Sequence, residues 1–382
     1  MKKIGAASIT AGSFLIVTLV STLIFAGILF VNTTIGIDVF AKKNSKKSSD
    51  KVNGITAGAD NSLQRGEEQQ GRTEPVVPLP LPVETPTNRK YVIINFDDSH
   101  QSDYTYAKPI LDKYGFKATF FEVCNWVEAG YHDKDKSITW EQIAELQQDG
   151  MDIEAHTMTH ADLNYRSQAD LDYEIGQSKQ CLENHGINAT IFAYPIGEGS
   201  DNSTVVNTVA KYYDLARTDS KSALTFLHCD GNNNEQTDCR THFNDGTLTP
   251  SNRYSINSWA HKHIEKSCSP DTGDSDTGTC TNVVRHEYNN AQMFHKFVTA
   301  VNNQSNYNNK DGIVRATPII VYHIIVNYPD LSDSNRPIDT TLNLFDAEMR
   351  YLYNNGFKAI TIADLGYHAN SKSVYIKGAS SS

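Results

Sequence analysis

The chain has 382 residues, 39% of them hydrophobic and 10% aromatic, enough for one large globular domain with a sizeable core or two ordinary ones. Its formal net charge of -11 argues against a nucleic-acid partner, because phosphate binding needs a basic face. The charge is uneven: residues up to Lys90 sum to about +4 and the rest to about -15.

Lys2 and Lys3 precede an uncharged stretch from Ile4 to Val31. It is longer than the ~20 residues that cross a bilayer, and longer than the roughly 7–15 of a cleavable signal's apolar centre. Residues 1–41 are therefore expected to be a signal anchor, with cleavage after Val39-Phe40-Ala41 as the alternative. Lys42, Lys43, Lys46 and Lys47 flank the other end, so charge does not settle orientation. Residues 42–88 read as an unfolded linker, lysine- and serine-rich at first. Proline then alternates through Pro78-Leu79-Pro80-Leu81-Pro82, which favours a semi-rigid stalk.

From Arg89 strands and helices alternate. Apolar runs predict strands at Tyr91–Phe96, Ala118–Val123, Met151–Ala155, Ala189–Tyr194, Asp214–Arg217, Thr317–Tyr322 and Lys358–Ile360. Helices are predicted from Tyr104 to Tyr114 and from the Thr139/Gln142 capping box to Gly150. Others run from the Ser167 cap to Gly186, and over Thr204–Tyr212, Asn290–Asn302 and Thr340–Asn354. Such alternation implies an α/β fold with a parallel sheet covered on both faces, open or closed into a barrel. Residues 218–288 break the rhythm and read as an insertion holding only a strand Arg253–Ile256 and a helix from Ser258. The domain is expected to span 89–370, with 371–382 as a tail.

All six cysteines, Cys124, Cys181, Cys229, Cys239, Cys268 and Cys280, lie beyond the apolar segment. An even count behind an export signal favours disulfides, with Cys229/Cys239 and Cys268/Cys280 as local staples. Zinc binding by these four is disfavoured, since no C-x-x-C spacing occurs.

The polar residues of interest fall just past strand ends, the edge that carries the active site in parallel barrels and open α/β sheets alike. Asp97 and Asp98 end the first strand and point opposite ways, so they can divide their work. His156 and His160 are spaced to share one face of a helical turn and reach one ion. Asp98 would complete a His₂Asp set with positions left open, as a catalytic zinc site requires. Asp97 could then act as general base, and His323, at a late strand end, as general acid. Solvent-facing histidines and a satisfied core histidine are the plainer readings of these residues.

These motifs together resemble the polysaccharide deacetylases of carbohydrate esterase family four, the NodB-like group. The resemblance rests on Phe96-Asp97-Asp98, His156-Thr157-x-x-His160, the strand ending Phe192-Ala193-Tyr194-Pro195-Ile196-Gly197, and a late strand ending in His323. It implies a deformed (β/α) barrel, a divalent metal (zinc, or Co2+, Ni2+ or Mn2+) and hydrolysis of the acetamide on N-acetylglucosamine units of a glycan. By position it gives Asp97 as base, Asp98, His156 and His160 as metal ligands, and His323 as acid. The backbone N–H near Ile196, with Tyr194 and Pro195, would hold the oxyanion. An O-acetyl esterase and an inactive glycan-binding protein on the same scaffold are the alternatives.

Three departures stand out. Ser99 replaces the usual glycine, Ile324 follows the last histidine where an aspartate is common, and Ala193 stands where an arginine often braces the base. The F-A-Y-P form is similar to a subgroup without that arginine, and Arg217 is a candidate replacement. A monomer acting outside the membrane is expected.

Overall fold

The computed structural model describes residues 89–132, 135–220, 223–227, 253–268, 283–308, 314–370 and 373–379. The expected anchor, the linker and most of the insertion, with Cys229, Cys239 and Cys280, lie outside them. Among the described residues no helix is long and apolar enough to cross a membrane.

Seven parallel strands close a barrel: β1 (Lys90–Asp97), β2 (Thr119–Glu122), β3 (Asp152–Ala155), β4 (Ile191–Ala193), β5 (Leu215–Asp219), β7 (Ile256–Ala260) and β8 (Ala316–Tyr322). Between β5 and β7 in the chain, β6 (Leu224–Phe226) pairs antiparallel with the start of β8. The ring shuts because β8 also pairs with β1, Ile93 to Phe96 lying against Ile319 to Tyr322. The lower half of β1 pairs instead with β9 (Phe357–Ile360), so the first strand is shared between two neighbours.

Alternation along the strands sorts their side chains. Ile93, Ile191, Leu215, Ile256 and Ile319 fill the barrel interior, while Val92, Ile94, Phe96, Phe120 and Ile320 meet the surrounding helices. Both faces of β1 are buried, which is why it reads as one apolar run.

The helices start where their caps predict. The Thr139 capping box opens α3 (Trp140–Gln148). Ser167 and Asp170 form another before α4 (Gln168–Leu171), which continues through a π-helical turn, Asp172–Gln177, into α5 (Ser178–Asn184). Helices α7 (Asn290–Asn302) and α8 (Leu342–Asn354) complete the expected set with α1 (Lys108–Tyr114) and α6 (Ser203–Tyr212). A further short helix, α2 (Cys124–Ala129), follows β2, and Cys124 is bridged to Cys181 of α5.

Two expectations are corrected. Residues 218–288 are not wholly an insertion: Ile256–Ala260 is the barrel strand β7, and Ser258 sits inside it, not at the start of a helix. The residue pattern hid this because Ser258, one of its inward positions, is polar and bonds to Arg217. At the C-terminus, Ser373–Ile376 pairs antiparallel with Leu365–His368, and Val374 and Ile376 are buried, so the fold continues into the expected tail.

Candidate active site at the carboxyl end of the barrel

The ends of β1, β3, β4, β5, β7 and β8 surround a pocket of about 240 Å³. The turn after β1 sets its floor. Asp98 and Ser99 take successive left-handed conformations, with φ of 74° and 55°. Such values cost a non-glycine residue energy and need outside support. Ser99 has it: its Oγ accepts from Val123 N at 2.7 Å, and its carbonyl accepts from Ile138 N at 2.8 Å. The serine therefore occupies the positive-φ position that glycine would fill more cheaply.

His156 and His160 do converge on Asp98, but not through a helical turn as the spacing suggests. Residues 156–160 form a loop in which Thr157 and His160 have φ of 72° and 61°. Glu174, from the π-helical turn, holds the loop by accepting from Met158 N, Thr159 N and Thr159 Oγ1. Thr157 Oγ1 accepts from His160 N at 2.8 Å. Side chains distant in sequence thus replace the helical ladder.

Asp98 Oδ1 lies 3.2 Å from His160 Nε2 and 3.5 Å from His156 Nε2. The three groups bring their ligand atoms within 4.8 Å of one another. Asp98 Oδ1 is buried and has no hydrogen-bond partner among the described residues. His156 Nδ1 sits 2.8 Å from Ala193 O. A carbonyl only accepts, so the proton belongs on Nδ1 and the Nε2 lone pair faces Asp98. Burial alone would raise the Asp98 carboxyl, but His156, His323 and His160 outweigh it and hold it well below the usual carboxylate range. Burial pushes His160 down to about 4, with His156 adding to the effect. An anionic carboxylate, a neutral imidazole and a second imidazole with its lone pair aimed inward fit a divalent cation such as zinc.

Asp97 faces the other way, into the barrel, and Arg217 Nη2 donates to both its oxygens at 2.7 and 2.6 Å. The guanidinium is 2% exposed, stands 4.7 Å over the Phe121 ring and donates through Nη1 to Ser258 Oγ at 3.1 Å. Arg217 is the register partner of Ala193 on the adjacent strand. The small alanine leaves room, and the arginine arrives from one strand over. His323 lies farther off, its Nε2 4.0 Å from Asp98 Oδ2. Burial lowers its pKa against the opposing pull of Asp98 and Asp97, and its Nδ1 has no partner among the described residues.

Tyr194, Pro195 and Ile196 form one rim. Ile196 has φ 52° and ψ 10°, a left-handed conformation that is unusual for a β-branched residue, and is 61% exposed. The next residue must be small: a Cβ on Gly197, at φ 76°, would lie 2.9 Å from Asp219 Cβ. Thr218 Oγ1 donates to Gly197 O at 2.7 Å and fixes the same turn.

The sequence reading missed three pocket neighbours. His100 is buried with its Nε2 4.0 Å from Asp98 Oδ2; only its closeness to the aspartate pair could have singled it out. Asp219 and Lys262 form an ion pair of 2.8 Å on the pocket wall. Their signal was lost with the strand pattern after Thr218.

Residues 84–215 match the family model described as polysaccharide deacetylase. YxkH of Bacillus subtilis (strain 168), whose name places it provisionally among polysaccharide deacetylases, is 34% identical over 117 residues, 30% of this chain and 40% of that protein. The Streptococcus pyogenes deacetylase PplD, solved in complex with acetate, is 33% identical over 34% of this chain and 57% of that one, with a TM-score of 0.32. BC0361, a polysaccharide deacetylase from Bacillus cereus, is 27% identical over 34% of this chain and 40% of its own, with a TM-score of 0.30. The chain thus spans less than two thirds of each of these relatives. The weight rests on the sequence match, which ends before Arg217.

Proposed function

We propose that the chain is a metal-dependent deacetylase, anchored in a membrane and facing outward, that hydrolyses the acetamide of N-acetylglucosamine units in a polysaccharide. One observation carries the reading: a carboxylate gripped by a buried arginine, Asp97, stands beside an Asp-His-His set, with Asp97 Oδ2 3.9 Å from His156 Nε2. The match of residues 84–215 to polysaccharide deacetylases supports it.

Asp98, His156 and His160 would hold the ion, zinc by the chemistry of the donors. When bound, it supplies a Lewis acid that polarises the acetyl carbonyl and lowers the pKa of water. The remaining work falls to the chain. Asp97 accepts a proton from the attacking water, and Arg217 fixes the carboxylate in place for that transfer. The Ile196 N–H would meet the charge that develops on the carbonyl oxygen, since the Gly197 and Glu198 N–H groups already donate to Tyr194 O and Pro195 O. His323 delivers a proton to the nitrogen as the C–N bond breaks, releasing acetate and the free amino sugar. Outward placement rests on the apolar segment from Ile4 to Val31 and on the cysteine bridge between α2 and α5.

A substrate panel on the full chain with measured metal content tests the reading. Acetate should appear from N-acetylglucosamine tetramers and not from acetylated xylan, and the activity should sediment with membranes. Release from xylan alone would replace the amide with an ester, and undiminished activity in metal-free protein would sink the mechanism.

A further inference from the structure

Asp219 and Lys262 have no part in the reaction just described, yet both line its pocket. Asp219 ends β5 two residues beyond Arg217 and shares its inward face. Lys262 follows β7 by two residues. The pair is held in place. Asp219 Oδ1 accepts from Ala260 N at 3.1 Å, Oδ2 takes the Lys262 ammonium at 2.8 Å, and the backbone of Gly197 abuts the Asp219 side chain. Unlike the sealed Arg217–Asp97 pair, it remains wet: the lysine side chain is 38% exposed and the aspartate 26%. An ammonium has three donors and a carboxylate about four acceptor positions, so both partners keep capacity facing the pocket.

We propose that this pair is the element that reads sugar hydroxyls next to the reacting acetamide, the carboxylate accepting from one hydroxyl and the ammonium donating to another. Because the two charges cancel, the wall recognises a neutral N-acetylhexosamine and discriminates against one that carries a carboxylate. This rests on the deacetylase reading and deepens it by naming the side chains that select the sugar. A purely structural role, clamping the Ile196 turn, is the rival. It would lower kcat, because the turn faces the developing oxyanion, whereas loss of hydroxyl contacts raises KM.

The test uses the full chain loaded with zinc, with neutral N-acetylglucosamine tetramer and its carboxymethylated form as probes. Lys262→Met should raise KM for the neutral tetramer about tenfold with kcat within about threefold. Asp219→Asn leaves the lysine unpaired, and should move the ratio of kcat/KM values at least fivefold toward the carboxymethylated probe. Tetramer affinity measured by calorimetry in Asp97→Asn protein reads the same contacts without turnover, and adding Lys262→Met should weaken it about tenfold. Unchanged affinity, or a fall in kcat at constant KM, overturns the proposal. Wild type that binds the tetramer through Lys262 but releases no acetate overturns the deacetylase reading instead.

Discussion

The two stretches that build the pocket differ in how they deliver their residues. Within 84–215, the span matched by the family model, Asp97, Asp98, His156 and His160 stand in two short contiguous motifs at the ends of β1 and β3, which flank β2 in the barrel. Beyond it, Arg217 and Asp219 come from alternate positions of β5, Lys262 from the segment after β7 and His323 from the end of β8, with no contiguous motif among them. The contrast has a chemical cause. An ion demands a fixed donor set at fixed directions, so its ligands are tied to local turns. A brace needs only a positive charge within hydrogen-bond reach, and any adjacent strand can bring it. Arg217 beside Ala193 is that freedom in use.

The largest expected effects fall in the first stretch. If the proposed mechanism holds, Asp97→Asn should bind zinc as the wild type does and lose about 10²–10⁴-fold in kcat, the range of general-base removal. His160→Ala should lose zinc and activity together, by metal analysis and acetate release. Equal activity in Asp97→Asn would remove the base from this stretch altogether. Next comes the brace. Arg217→Ala leaves a buried carboxylate unpaired, which destabilises by about 3–5 kcal/mol in denaturant unfolding. It should lower kcat/KM about a hundredfold. Placing the arginine back through Ala193→Arg in the Arg217→Ala background should recover at least tenfold. No recovery would mean that the brace is bound to its strand and the contrast is too simple.

The same contrast explains what the sequence disclosed. Strands β1 and β8 were legible because both of their faces are apolar, and α7 because its cap and periodicity agree. The cluster of Asp98, His156 and His160 was legible as spacing, although the loop around it was not, since Glu174, which holds it, stands 14 residues beyond His160. Strand β7 was missed except for its first residue, since the expected strand Arg253–Ile256 meets it only at Ile256: Ser258 breaks the apolar rhythm in order to meet a buried arginine, and no local pattern announces a polar residue that serves another strand. Lys262 was lost with it, and Asp219 because the expected fifth strand stopped at Arg217, two residues short of the end of β5.

A smaller effect is expected from the bridge Cys124–Cys181, which lies wholly inside the first stretch and closes a loop of sequence separation 57. The chain-entropy relation gives about 4 kcal/mol for such a loop. Cys124→Ser with Cys181→Ser should therefore lower unfolding stability by up to that amount while kcat stays within about twofold, because neither cysteine lines the pocket. A collapse of kcat would couple the bridge to the site through α2, where Trp126 packs 5.1 Å from the His160 ring.

The smallest effect concerns a tether between the stretches, at the end of the barrel remote from the pocket. Asp152 Oδ2, at the start of β3, accepts from Thr119 Oγ1 at 2.9 Å and from Ala363 N at 3.2 Å. Burial raises this carboxyl to about 6, against the partial relief of those hydrogen bonds. The folded state therefore holds the proton more tightly than the unfolded chain. That contribution is full below pH ~4 and is lost as pH rises through about 6, a difference on the order of 2–3 kcal/mol. Asp152→Asn keeps an acceptor for both donors and cannot ionise. Its stability relative to wild type should rise across pH 4 to 6 and stay higher above it, measured by urea unfolding at each pH. A parallel pair of profiles would show that Asp152 already ionises freely in the folded protein. The two stretches would then be joined there by a charged contact that water reaches.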